Sequence, residues 1–129
     1  MPVSNLSIVV VEDVQAMRLH LRQILQDLGF MKVQTAASVE EAQIILMVEP
    51  VDVVICDWYL NPSSGLDLLK DIRQKPDLKG TAFMMLTAEN TKEKVIEALK
   101  SGVDDYMVKP ISAAGLVDKI NAAAAKRKK

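Results

Sequence analysis

Five short apolar runs alternate with five helical stripes along this chain, and that alternation constrains the fold more than any other feature. Residues 51–56 are apolar at almost every position. A strand with so little polar alternation is buried on both faces, as in a parallel sheet covered by helices. Residues 6–11, 81–86 and 103–108 also read as strands, and residues 32–36 are partly polar, as suits a strand near an edge. After the first run, Val14, Met17, Leu21, Ile24, Leu25 and Leu28 recur at helical spacing, and Gly29 follows where a helix C-cap belongs. Ser38, with Glu41 three residues on, has the form of a capping box. It opens a helix bearing Val39, Ala42, Ile45 and Leu46 that stops before Pro50. Residues 61–65 are turn chemistry. The third helix uses Leu66, Leu69 and Ile72, and the fourth (91–101) turns Val95, Ala98 and Leu99 inward before Gly102. The last starts near Ser112 and uses Leu116, Ile120, Ala123 and Ala124. Strict alternation of this kind predicts an α/β fold: a (βα)5 doubly wound, five-stranded parallel sheet with right-handed crossovers.

The 129 residues suit one domain over 1–129, long enough to bury a core without metal or disulfide. Cys56, the only cysteine, lies in an apolar run and reads as a small core residue. A net charge of −1 gives no global pull toward nucleic acid or anionic membrane. No apolar stretch approaches the roughly 20 residues of a membrane span, and the N-terminus lacks an export signal, so a cytoplasmic location is expected.

In open α/β sheets ligands sit outside the carboxyl ends of the strands. Here the first strand ends in Glu12-Asp13, the third in Asp57, the fourth in Thr87, and the fifth just before Lys109-Pro110. Three carboxylates, a hydroxyl and an ammonium therefore converge on one edge. Two ionised carboxylates at ~4 Å repel by roughly 4 kcal/mol at an effective dielectric near 20. Such a cluster favours a hard divalent cation; Mg²⁺ takes few carboxylates and keeps waters and phosphate oxygens. One carboxylate can then attack phosphorus, while the ammonium and hydroxyl neutralise the oxygens of the transferred group.

These residues make the chain resemble the receiver domains of two-component response regulators, above all the stand-alone chemotaxis type. The matching segments are Val9-Val10-Val11-Glu12-Asp13, Met17-Arg18, Leu28-Gly29-Phe30, Asp57-Trp58, Gly65-Leu66, Thr87-Ala88-Glu89 and residues 106–110, in order and over nearly the whole chain. The resemblance implies a flavodoxin-like strand order 2-1-3-4-5. It also implies Asp57 as phosphoacceptor and Mg²⁺ held by Asp13, Asp57 and the backbone carbonyl of Tyr59, with Glu12 helping directly or through water. Lys109 and Thr87 would contact the phosphoryl oxygens, Tyr106 would move into space vacated by Thr87, and the bond before Pro110 would be cis. A histidine kinase would be the donor. A downstream protein would read the fourth helix, fifth strand and fifth helix, near Asn90, Lys92, Val95, Tyr106 and Lys119. The domain itself would act as a monomer and bind neither nucleic acid nor membrane. The loop after Asp57 departs from the pattern: Asn61 stands where proline is usual, Pro62 is displaced by one, and Ser64 replaces an acid. Tyr59 is bulky for its place, so slowed self-hydrolysis of the aspartyl phosphate is expected.

Other residues read more plainly. Trp58 covers the loop, His20 is a boundary or surface residue, Met84, Met85 and Met107 pack within strands, and residues 126–129 are a solvated basic tail that complements a helix dipole. Two alternatives stay open. One is a receiver cut from a larger DNA-binding or enzymatic regulator. The other is a metal-dependent phosphatase with an aspartate nucleophile, which would want a second acid that Trp58 and Tyr59 do not supply. A flavin carrier would need a phosphate-cradling loop where Glu12-Asp13 stands.

Overall fold

A computed structural model describes residues 4–127. Strands β1 (Ser4–Val11), β2 (Phe30–Ala36), β3 (Val53–Cys56), β4 (Ala82–Thr87) and β5 (Asp105–Val108) form one parallel sheet in the order 2-1-3-4-5. Helices α1 (Gln15–Asp27), α2 (Val39–Val48), α3 (Gly65–Gln74), α4 (Lys92–Lys100) and α5 (Ala113–Arg127) alternate with them. The partly polar β2 is an edge strand, as its composition predicts.

Period-two alternation divides the core. Val9, Val11, Val54, Cys56, Phe83 and Met85 pack on the face covered by α2, α3 and Ala98 of α4. Ile8, Val10, Ile55, Met84 and Leu86 face the other way, against Leu25 of α1 and Leu116, Ile120, Ala123 and Ala124 of α5. Each such Leu or Ile contributes roughly 1.5–3 kcal/mol of burial. Gly29 (φ 98°) and Gly102 (φ 99°) end α1 and α4 in the left-handed region that only glycine enters freely. Among the described residues no helix is long and apolar enough to cross a membrane.

Several expectations are corrected. Leu99 is 57% exposed, because α4 sits at the sheet's edge and only Ala98 reaches the core fully. Val14 and Met17, at the start of α1, are also exposed over nearly half of their surface. Ser38 accepts from the Glu41 amide, but Glu41 reaches back to the Ala37 amide, so the box is not closed there. A closed box stands instead at Ser64 and Asp67. The turn expected at 61–65 is part of a two-stranded antiparallel ribbon, Tyr59–Leu60 with Ser63–Ser64, around a cis Asn61-Pro62 bond. Trp58 does not lie over the loop: it is buried against the α2–α3 side of the core. In the basic tail, Lys126 and Arg127 are bonded to Asp104, while Lys128 and Lys129 lie outside the described residues.

Candidate functional site

The parallel ladder runs one residue past the strand ends and thereby places the polar groups. The Glu12 amide donates to Ala36, the Asp57 amide to Val11 and the Lys109 amide to Thr87. Asp57 and Lys109 are therefore anchored to neighbouring strands before any side-chain contact is made. Behind Asp57, α3 begins so close that a Cβ on Gly65 would fall 2.2 Å from the Asp57 carbonyl oxygen. Only glycine fits there.

Around the Asp57 carboxylate, Thr87 Oγ1 donates to Oδ1 at 2.7 Å and the Tyr59 amide donates to the same oxygen at 3.2 Å. Lys109 Nζ lies 3.2 Å from Oδ2 and 3.4 Å from Glu12 Oε1. Burial pushes the Asp57 carboxyl up, but the Thr87 hydroxyl, the Tyr59 amide and Lys109 outweigh it and hold it below its ordinary range. Glu12 goes the other way. Burial, with Asp57 beside it, raises it to about 6 against the Val14 amide and Lys109. Its backbone carbonyl accepts from Arg18 at 2.8 Å.

Four of the five converging residues thus meet directly. Asp13 is at the same edge, but its carboxylate accepts from the Asn61 amide at 3.2 Å, tying β1 to the loop after Asp57. Among the described residues no three acidic, histidine or cysteine side chains form a ready metal cluster. The donor set still fits a hard cation: Glu12 and Asp57 are two crowded carboxylates sharing a single ammonium, and Mg²⁺ needs only one or two. Lys109-Pro110 is cis, as the resemblance implies. Tyr106 is half-buried and donates its hydroxyl to the Glu89 carbonyl at 2.9 Å, and burial, with Glu89 nearby, pushes its phenol up to about 12. On the fourth-helix side Asn90 and Lys92 are exposed, Val95 is half-buried, and Lys119 pairs with Asp105 at 3.1 Å.

Sequence reasoning missed the bond from the Tyr59 hydroxyl to the Glu89 carboxylate. That bond and the Thr91 amide hold Glu89 down to about 2. Nothing periodic marks the pair; Glu89 stood only as part of a matching segment.

The family model for the response regulator receiver domain matches residues 8–121. The chemotaxis protein CheY-3 of Vibrio cholerae is 39% identical over 91% of this chain and 90% of its own length. The phosphate regulon transcriptional regulatory protein PhoB of Rhizobium meliloti is 37% identical over 89% of this chain but only 50% of its own. Among solved structures, the chemotaxis response regulator CheY4 of Vibrio cholerae superposes with a TM-score of 0.83 at 28% identity, covering 93% of this chain and 99% of that one.

Proposed function

The chain belongs to the response regulator receiver domain family, a signalling family of two-component systems, and from that premise we propose that it takes a phosphoryl group on Asp57 from a histidine kinase. The carrying observation is the Asp57 carboxylate with a hydroxyl donor on one oxygen and an ammonium on the other, Thr87 at 2.7 Å and Lys109 at 3.2 Å. One Asp57 oxygen attacks phosphorus and the bond to the donor breaks. Lys109 and Thr87 then stand where negative charge gathers on the transferred group. Asp13, Asp57 and the Tyr59 carbonyl would hold Mg²⁺, with Glu12 helping directly or through water. When bound, the cation supplies charge neutralisation between phosphate and carboxylates.

The added charge biases a two-state arrangement. Thr87 turns to the phosphoryl group, and Tyr106, bonded to the loop after Thr87, follows it inward. The surface of α4, β5 and α5 carries the result to a protein partner. Exposed Ile96, Leu99 and Val108 give this side apolar contact area. We take the chain as one receiver unit that acts as a cytoplasmic monomer, with chemotaxis as its setting because of its chemotaxis relatives. Its match to half of a transcriptional regulator supports a second reading, a receiver serving a longer regulator.

A small-molecule phosphodonor with Mg²⁺ should add one acid-stable, base-labile phosphoryl group by intact mass, and Asp57→Asn should abolish it. Full labelling of that variant would reject the site.

A further inference from the structure

The two loops that flank Asp57 are joined over its rim, and the joint is held from α4. Tyr59 follows the carboxylate and Glu89 follows Thr87, and each loop is also bonded inward. The Tyr59 amide donates to Asp57, the Glu89 amide to Thr87 Oγ1 at 3.2 Å, and Thr87 to Asp57. The bond from the Tyr59 hydroxyl to Glu89 closes this ring. Lys94, in the first turn of α4, lies against the closure. Its Nζ is 3.1 Å from the Tyr59 hydroxyl, 3.6 Å from Glu89 Oε1, and 5.1 and 5.5 Å from the ring centroids of Tyr59 and Trp58. A single ammonium so satisfies two aromatic faces, a phenol oxygen and a carboxylate.

The opposite side of Asp57 is different. A cavity of about 280 Å³ opens there between α1 and the segment after Lys109, with apolar walls that include Met17, Leu21, Ile24, Leu86 and Ile111. Glu12, Asp57 and Lys109 also line this cavity, whereas the approach across the two loops is the one that the Tyr59–Glu89 bond bridges.

Resting on the phosphoacceptor reading above, we propose that Lys94 is a positioning residue that clamps Tyr59 to Glu89 and so sets the lifetime of the aspartyl phosphate. In the step it slows, a water oxygen attacks phosphorus, the bond from phosphorus to the Asp57 oxygen breaks, and hydrogen phosphate leaves. The carboxylate is regenerated and one proton passes to solvent. Lys94 touches none of these atoms. It acts by keeping the phenol and carboxylate together across the approach.

The test labels parent, Lys94→Met, Lys94→Arg, Tyr59→Ala and the Tyr59→Ala/Lys94→Met double variant with acetyl phosphate and Mg²⁺. The donor is then removed, and loss of the phosphoryl group is followed by mass. Lys94→Met should lose it about three- to tenfold faster, Lys94→Arg near the parent rate, and the double variant no faster than Tyr59→Ala alone. Labelling should accelerate less than loss. Without donor, Lys94→Met should also shift the Trp58 emission. An unchanged lifetime in Lys94→Met, additivity in the double variant, or equal acceleration of labelling and loss would overturn the clamp while leaving Asp57 as acceptor. Failure of the parent to label would overturn the acceptor reading and this one with it.

Discussion

Glu12 and Asp57 touch the same ammonium yet shift in opposite directions: burial raises both, but Asp57 has the Thr87 hydroxyl, the Tyr59 amide and Lys109 to outweigh it, whereas Glu12 has the Val14 amide and Lys109 against burial and the charge of Asp57. The consequence is a stability profile with a specific sign. Glu12 rises from an ordinary 4.5 to about 6, so its stabilising contribution is complete below pH 4.5 and is lost as pH climbs through 6. That span corresponds to about 2 kcal/mol. Asp57 is depressed below 3.8, so its contribution is present above that pH and disappears only in stronger acid, outside the same window. Metal-free protein should therefore lose urea resistance between pH 4.5 and 6. Glu12→Gln should flatten the curve there and be the more stable form at pH 7. An identical slope in both proteins would assign the effect to another group. Asp13 is half-buried and, among the described residues, bonded to the Asn61 amide alone, so it should tolerate Asp13→Ala with a change within about 0.5 kcal/mol, or a small gain, in the absence of metal. A large loss by urea titration would make Asp13 structural.

Elements place these residues, and α3 does so most tightly. Its first residue, Gly65, donates its amide to the Trp58 carbonyl at 2.6 Å and leaves no room for a side chain against Asp57. Gly65→Ala must push α3 off the back of the site, because the obstructing atom is backbone. The expected loss is about 2 kcal/mol or more in urea, with slower labelling of the folded fraction. Ser64→Ala opens the capping box one residue earlier and should cost about 1 kcal/mol, with labelling intact. Equal labelling in both variants would deny Gly65 its positional role. The same loop shows where sequence stops being informative about elements. The runs of Val9, Val54 and Phe83 were legible as buried strands because periodicity is a local property. The ribbon from Tyr59 to Ser64 was not, because two-residue strands carry no period and the segment reads only as turn residues. Leu99 fits an inward stripe equally well in sequence; only the position of α4 at the sheet's edge turns it outward.

At the scale of the molecule, the parallel sheet separates chemistry from anchorage. All strands point the same way, so Glu12, Asp57, Thr87 and Lys109 collect at one end. That convergence was readable from strand ends alone, whereas the strand order itself came from family resemblance. The other end is held by a network that no motif announced, since a long-range partner leaves no periodic trace. Asp104, with 6% of its side chain exposed, accepts from Arg73 at 2.8 Å, Arg127 at 2.9 Å and the Phe83 amide at 2.9 Å. Arg73 also donates to the carbonyls of Gly102 and Thr81. One carboxylate thus joins α3, β4, the approach to β5 and the last turn of α5. Removing it leaves two guanidiniums facing each other, and burial with the charge of Arg127 already lowers the Arg73 guanidinium. Breaking a buried pair from one side typically costs about 3–5 kcal/mol. Asp104→Ala should lose stability on that scale in urea. At low temperature, where it remains folded, it should still take one phosphoryl group on Asp57 at the parent rate, because no atom of the network reaches the site. Slow labelling by a fully folded variant would show that the two ends are energetically coupled, and the separation of anchorage from chemistry would fail.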